Sequence, residues 1–355
     1  MNWWTSIILF FVILFFYVHI QQQWKKGEDL EIYEYEFQNP KELQDTCQWK
    51  QPILFEMEFP KPYGFPQLPQ LQMADVREIR QLSSQSPNIE LIDLTAESAR
   101  GLLDTDTKSV FYSYRNSTAI KEHPEWNAWF RTWEPLLKPP FCMSSEYDVW
   151  YGSRKTTTIT MTHHESHTYL YLPPETNPAA IRVKMTPPKS EVFLDTKRDY
   201  VSYEFWSPVD LFHPHDRMKC LDFLMKPGFV LYIPPYWFYS IEFQDKKNEV
   251  CMVKYTTGAN FLANAKHIAL YHLQQQNIEE KWWKPLQNTE LPLISLPSPD
   301  DDIDDNAPPV TSSSSLEKMP KPNDSSSAPE DLERTAVEQL VEELKVKTEN
   351  RIHVS

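Results

Sequence analysis

"KPGFVLYIPPYWFYSIEF", Lys226–Phe243, reads as two short strands joined by a proline turn. Its apolar positions are mostly β-branched or aromatic, and Pro234 and Pro235 break the run where neither strand can continue. Runs of the same kind recur on both sides: "QPILFEMEF", "SVFYSY", "YDVWYG", "TTTITMTHH", "TYLYL", "AIRVKM", "YVSYEFW" and "EVCMVKYTT". Pro, Asn, Asp or Ser separates them, and so many closely spaced short strands imply an all-β sandwich or barrel. Two stretches have a helical period instead. "HPEWNAWFRTWEPLLK" spaces Trp126, Trp129, Trp133 and Leu136 on one face, and "ANFLANAKHIALYHLQQQN" does so with Leu262, Ala265, Ala269 and Leu273. Both stripes are expected to pack against the sheets.

Composition narrows the function. The chain has 355 residues, 41% of them hydrophobic and 14% aromatic, enough for one large core. Only 6 glycines stand against 30 prolines, and no glycine-rich phosphate-binding string occurs, which removes the kinase and dinucleotide-binding classes. A net charge of −15 argues against nucleic acid as a partner. The cysteines Cys47, Cys142, Cys220 and Cys251 form no CxxC pair, so a structural zinc site is not expected and packed, reduced thiols are.

"WWTSIILFFVILFFYVHI", Trp3–Ile20, has no formally charged residue and as a helix spans about 27 Å, close to the roughly 30 Å hydrocarbon core of a bilayer. It has no preceding Lys or Arg and no small-x-small site after it, so it reads as a transmembrane anchor rather than a cleaved signal. Trp3, Trp4, Tyr17 and Trp24 suit the two interfaces, and Lys25 and Lys26 place the C-terminal part on the cytoplasmic side. At the other end, the segment from Asp300 onward carries fourteen acidic against six basic residues and is rich in Pro and Ser, a composition expected to stay disordered. "EDLERTAVEQLVEELKVK" within it puts Val337, Leu340, Val341 and Leu344 on one helical face, which suits docking to a protein partner. The expected organisation is an anchor over 1–24, a β domain over 25–290, an acidic linker over 291–329, an amphipathic helix over 330–348 and a tail over 349–355.

Chemistry concentrates in "TTTITMTHHESHTYLYL". On a straight strand His163, Glu165 and His167 share a face, and a His-x-acid pair can contribute two ligands to one metal. Together, "VWYGSRKTTTITMTHHESHTYL" and "SPVDLFHPHDRMKCLDFLMKPGFVLYIPPYWFYSIEF" resemble the two metal-binding segments of JmjC-type and asparaginyl-hydroxylase-type oxygenases, about 75 residues apart as in that family. The resemblance covers roughly Tyr33 to Ala263. It implies a mainly β, cupin-like double-stranded β-helix (jelly roll) with flanking helices, here between one transmembrane helix and a disordered acidic tail. The anchor, body and tail together also resemble membrane-anchored cupin-like proteins of large double-stranded DNA viruses, which implies a host membrane or an internal virion membrane.

Carried over residue by residue, the resemblance puts the first metal histidine at His163, the acidic ligand at Glu165 and a 2-oxoglutarate-holding threonine at Thr160. The second metal histidine falls on Tyr239, the aspartate after "PG" on Phe229, and the asparagine after the turn on Tyr169. The oxoglutarate lysine falls on Pro178 or Ala179, with Arg182 and Lys184 further along as substitutes. His167 would complete the ligand set only if its strand bent, since three ligands on a straight strand span about 13 Å. The expected protein is therefore a catalytically inactive, cofactor-free interaction or structural module. The alternative is an Fe(II)/2-oxoglutarate-dependent protein hydroxylase with an altered ligand set built on His163 and Glu165. A third reading is a pocket for a small ligand or another metal, with His213 and His215 of "LFHPHDR" as contributors.

Overall fold

The computed structural model describes residues 3–82, 89–177, 179–246 and 248–279. The linker over 291–329, the helix over 330–348 and the tail over 349–355 lie outside the described residues. The strands are β1 (Tyr33–Tyr35), β2 (Ile53–Glu56), β3 (Gln70–Asp75), β4 (Ile92–Thr95), β5 (Phe111–Ser113), β6 (Cys142–Gly152), β7 (Thr160–Thr162), β8 (His167–Tyr171), β9 (Ile181–Thr186), β10 (Lys197–Asp199), β11 (Glu204–Ser207), β12 (Leu221–Met225), β13 (Phe229–Ile233), β14 (Phe238–Glu242) and β15 (Glu249–Thr257). They form a nine-stranded sheet in the order β1-β2-β13-β8-β15-β6-β5-β3-β4 and a six-stranded sheet in the order β10-β11-β7-β14-β9-β12. Only β1 and β2 run parallel; every other described pair is antiparallel.

The stretch Lys226–Phe243 is not a hairpin. Its first strand, β13, pairs with β2 and β8 in the nine-stranded sheet, whereas β14 pairs with β7 and β9 in the other. Pro234, Pro235 and Tyr236 carry the chain across, with Tyr236 at a left-handed φ of 68°. Proline ends each strand's ladder because it has no N–H to donate. The same crossing occurs between β7 and β8, so "TTTITMTHHESHTYLYL" is two strands in two sheets with a bend over residues 163–166. The apolar faces of the two sheets meet in one core that includes Trp150, Met161, Leu170, Trp206, Leu231 and Ile241.

The outer face of the nine-stranded sheet is closed by the helices Pro124–Arg131 and Glu134–Leu137. Trp126, Trp129 and Trp133 are buried, as their spacing predicts, and Phe130 stacks on Tyr147 at 4.9 Å while Trp133 meets Tyr171 edge-on at 5.2 Å. Leu137 rather than Leu136 fills the core, because the helix breaks at Thr132 and the second helix starts on a new phase. The other stripe is reversed. Leu262 and Leu273 are 47% and 61% exposed, and the side of helix Ala265–Glu279 that faces the body is polar, with His267 Nδ1 bonded to Tyr200 Oη at 2.9 Å. Trp3–Trp24 is helical and, among the described residues, the one helix long and apolar enough to cross a membrane. Its last residue, Trp24, donates Nε1–H to the Ala263 carbonyl at 3.1 Å.

Candidate functional site

The site forms where the chain leaves β7 for the opposite sheet. On β7, Met161 points into the core and Thr160 and Thr162 point away, so His163 returns to the inner side. The bend is pinned on both sides. Tyr236 N–H donates to the His163 carbonyl at 2.8 Å, Asn260 Nδ2 donates to the His164 carbonyl at 2.7 Å, and Ser166 Oγ donates to the Tyr255 carbonyl at 2.8 Å. Strand β14 runs beside β7 with Tyr239 opposite Met161, which aims the phenol at the same inner space.

His163 Nε2 and Tyr239 Oη are 2.8 Å apart, and Tyr239 is fully buried, its ring parallel to that of Trp150. His163 Nδ1 lies 3.7 Å from Glu165 Oε2. Desolvation pushes His163 down to about 3, so it is a neutral imidazole at physiological pH. Desolvation also raises Tyr239 well above the ordinary phenol value, with the nearby carboxylates adding to the effect. The facing Glu165 carboxylate favours the Nδ1–H tautomer, leaving Nε2 to accept from the Tyr239 hydroxyl. That hydroxyl's other neighbour, Met252 Sδ at 3.6 Å, is a far weaker acceptor.

Next to this pair lies a polar cavity of about 200 Å³, lined by His163, Arg115, Glu146, Asp148, Glu204 and Lys254 among others. Arg115 forks onto Glu204 at 2.8 and 2.6 Å and reaches Asp199 at 3.4 Å. Lys254 Nζ lies 3.0 Å from Glu146 and 3.9 Å from Glu165. Burial opposes the Lys254 charge, but attraction to Glu146, Glu165 and Glu204 outweighs it and holds the ammonium above the usual lysine range. Asp148 accepts from the backbone N–H of Arg115 at 2.9 Å and of Asn116 at 2.7 Å, and from Trp150 Nε1 at 2.7 Å. Desolvation nonetheless pushes its carboxyl up to about 6.

The structure therefore brings His163, Glu165 and Tyr239 together and leaves the other candidates elsewhere. Thr160 donates its hydroxyl to the Val209 carbonyl at 2.6 Å on the outer face of its sheet. Arg182 and Lys184 alternate with the core residues Ile181, Val183 and Met185, so they too face outward, where both pair with Asp222. Ala179 contributes a backbone carbonyl to Asn248, and Pro178 lies outside the described residues. Tyr169 projects from the far face of the nine-stranded sheet, its hydroxyl 3.6 Å from Cys47 Sγ, and Phe229 lines the sandwich edge. The ring of His167 sits against Tyr169 and Tyr232 on that far face, so the bend separates it from His163 instead of joining them. His213 bonds Asp210 at 3.0 Å in an exposed loop and His215 stacks on Phe193.

These residues do not fit a ferrous centre. Such a centre takes two neutral imidazoles and a carboxylate, leaving positions open for co-substrate and dioxygen. Here one imidazole nitrogen of His163 is bonded to the protonated phenol of Tyr239, and no second imidazole stands beside it among the described residues. No group of three His, Cys, Asp or Glu side chains among the described residues is placed to hold a metal. The two cavity cations, Arg115 and Lys254, are already matched by carboxylates. This network escaped the reading of the sequence, although its signal was present. Glu146 and Asp148 in "SSEYDVWYG" and Lys254 in "EVCMVKYTT" are charges at alternate positions of otherwise apolar strands, on the face that carries Trp150 and Met252.

Fold and site together define a mainly β protein of two facing sheets with flanking helices, an apolar N-terminal helix and a self-paired polar cluster between the sheets. No protein-family model matches the sequence, and a search of curated proteins finds none significantly similar to it.

Proposed function

We propose that the protein is a membrane-anchored, non-catalytic module of the cupin-like, JmjC-related class that works by binding other proteins. The observation that carries this reading is the 2.8 Å contact between His163 Nε2 and the buried Tyr239 hydroxyl. It satisfies internally the nitrogen that a metal would need, and the Tyr239 ring is held beside it against Trp150. The alternation of successive strands between sheets, β7 to β8 to β9 and β13 to β14 to β15, supports the jelly-roll assignment. The length and composition of Trp3–Trp24 support the anchor, and Lys25 and Lys26 after it support a cytoplasmic body.

The test is equilibrium dialysis of the full chain in lipid nanodiscs against Fe(II) under anaerobic conditions, Mn(II) and Zn(II), alongside succinate release from 2-oxoglutarate. No bound metal and no succinate are expected. Stoichiometric iron together with succinate release abolished by His163→Ala would establish the hydroxylase instead.

A further inference from the structure

The two sheets differ in width, and the mismatch opens one edge of the sandwich. Strand β12 ends the six-stranded sheet and has a single neighbour, β9. In the facing sheet β2 and β1 continue beyond β13, and between them and β12 lies an open groove of about 830 Å³. Its floor is apolar, made by Leu54 and Phe229, with the 59% exposed Leu224 on the β12 side. Its rim is acidic: Glu34, Glu36 and Glu56 are exposed and have no cation partner among the described residues, against the single Lys226.

We infer that this groove is a docking site for an extended peptide strand of a partner protein, with apolar side chains at its centre and Lys or Arg at its ends. The inference rests on the reading of the protein as a binding module and names what it binds. Three features select this occupant. An edge strand presents alternate unpaired N–H and C=O groups, which another strand satisfies by adding to the sheet. A strand added to β12 becomes a seventh in that sheet and lies across from β2 and β1, at the sheet-to-sheet distance of about 10 Å. Its inward side chains then alternate with outward ones. The central inward positions cover Leu54 and Phe229, and the flanking ones reach the three glutamates, with long basic side chains running their methylenes along the apolar floor. Carboxylates at the rim disfavour an anionic ligand or an anionic lipid surface.

The probe is a fluorescein-labelled heptapeptide, Lys-Thr-Val-Thr-Val-Thr-Lys, titrated by anisotropy with the full chain in zwitterionic nanodiscs. Saturable micromolar binding is expected. Methylating alternate backbone nitrogens is expected to weaken binding by roughly tenfold or more in one register and leave it unchanged in the other, since only one set of N–H groups faces β12. The Glu34→Lys/Glu36→Lys/Glu56→Lys variant, altered only at exposed positions, is expected to lose this peptide and gain its Glu-ended counterpart. Equal binding by both methylated registers would reduce the effect to charge attraction and overturn the proposal. Unchanged binding by the triple variant would place the contact elsewhere, for example on the acidic residues after Asp300, and absence of saturable binding would also overturn it. The metal dialysis above reads the non-catalytic assignment separately, so either conclusion can fail while the other stands.

Discussion

At the scale of a residue, the decisive group is the Tyr239 phenol. Its hydroxyl meets His163 Nε2 inside the core, where a polar atom without a partner costs about 1–3 kcal/mol. Tyr239→Phe keeps the ring against Trp150 and removes only that partner. The variant is expected to lose about 1–3 kcal/mol of unfolding free energy, read from urea denaturation of the full chain. Tyr239→His does the opposite experiment by placing a second imidazole beside His163 and Glu165, and it is expected to bind Zn(II) in equilibrium dialysis, with no bound Zn(II) expected for the wild type. Lack of metal in that variant would mean that the substituted residue is not what closes the site. Both variants address the same physical point, that a buried nitrogen takes one partner at a time.

At the scale of elements, strand positions were legible because aromatic and β-branched residues recur with turn residues between them, and Trp126, Trp129 and Trp133 were legible from their period. Sheet membership was not. Periodicity locates β13 and β14 but carries no information on which sheet each joins, so a crossing between sheets resembles a hairpin in sequence. The helix Ala265–Glu279 failed for a related reason: an apolar stripe marks a face, and here the body recruits the polar one through His267 and Tyr200. The Arg115–Glu204 pair was illegible because its members lie 89 residues apart and meet only through the fold. Where the sheets close on each other, space is tight. A Cβ added at Gly152, the end of β6, would stand 2.1 Å from Cδ2 of the fully buried Phe243. Gly152→Ala is therefore expected to lower the urea midpoint by an amount equivalent to about 1–3 kcal/mol, while Gly101→Ala, which meets open space, is not.

At the scale of the whole molecule, anchoring and acid response each follow from what is buried and what is not. Trp3–Trp24 exposes its apolar side chains on all sides, so the full chain is expected to resist alkaline carbonate extraction from membranes, and a chain lacking residues 1–24 is expected in the supernatant. Acid acts on the body most strongly through three histidines, with burial and the nearby Arg198 and Lys266 lowering His267 in the same direction. Desolvation pushes His163, His164 and His167 each down to about 3, against about 6.5 in the unfolded chain. Below pH 6.5 the unfolded state thus binds more protons than the folded one, and stability falls as pH falls towards 3. Asp148 works the other way, because burial raises its folded value to about 6, so between about 6 and 4 the folded state takes up a proton that the unfolded state does not. That gain offsets about one histidine. Allowing for partly exposed His164 and His167, the net loss is on the order of 2 kcal/mol between pH 6 and pH 5, since each fully buried histidine supplies about 1.4 kcal/mol per pH unit. The expected record is a urea midpoint that is level between pH 7 and pH 8 and drops steeply below pH 6. A midpoint that stays level down to pH 4.5 would mean that the histidines are hydrated or paired in the folded protein, and the burial of His163 beside the polar cavity would have to be redrawn.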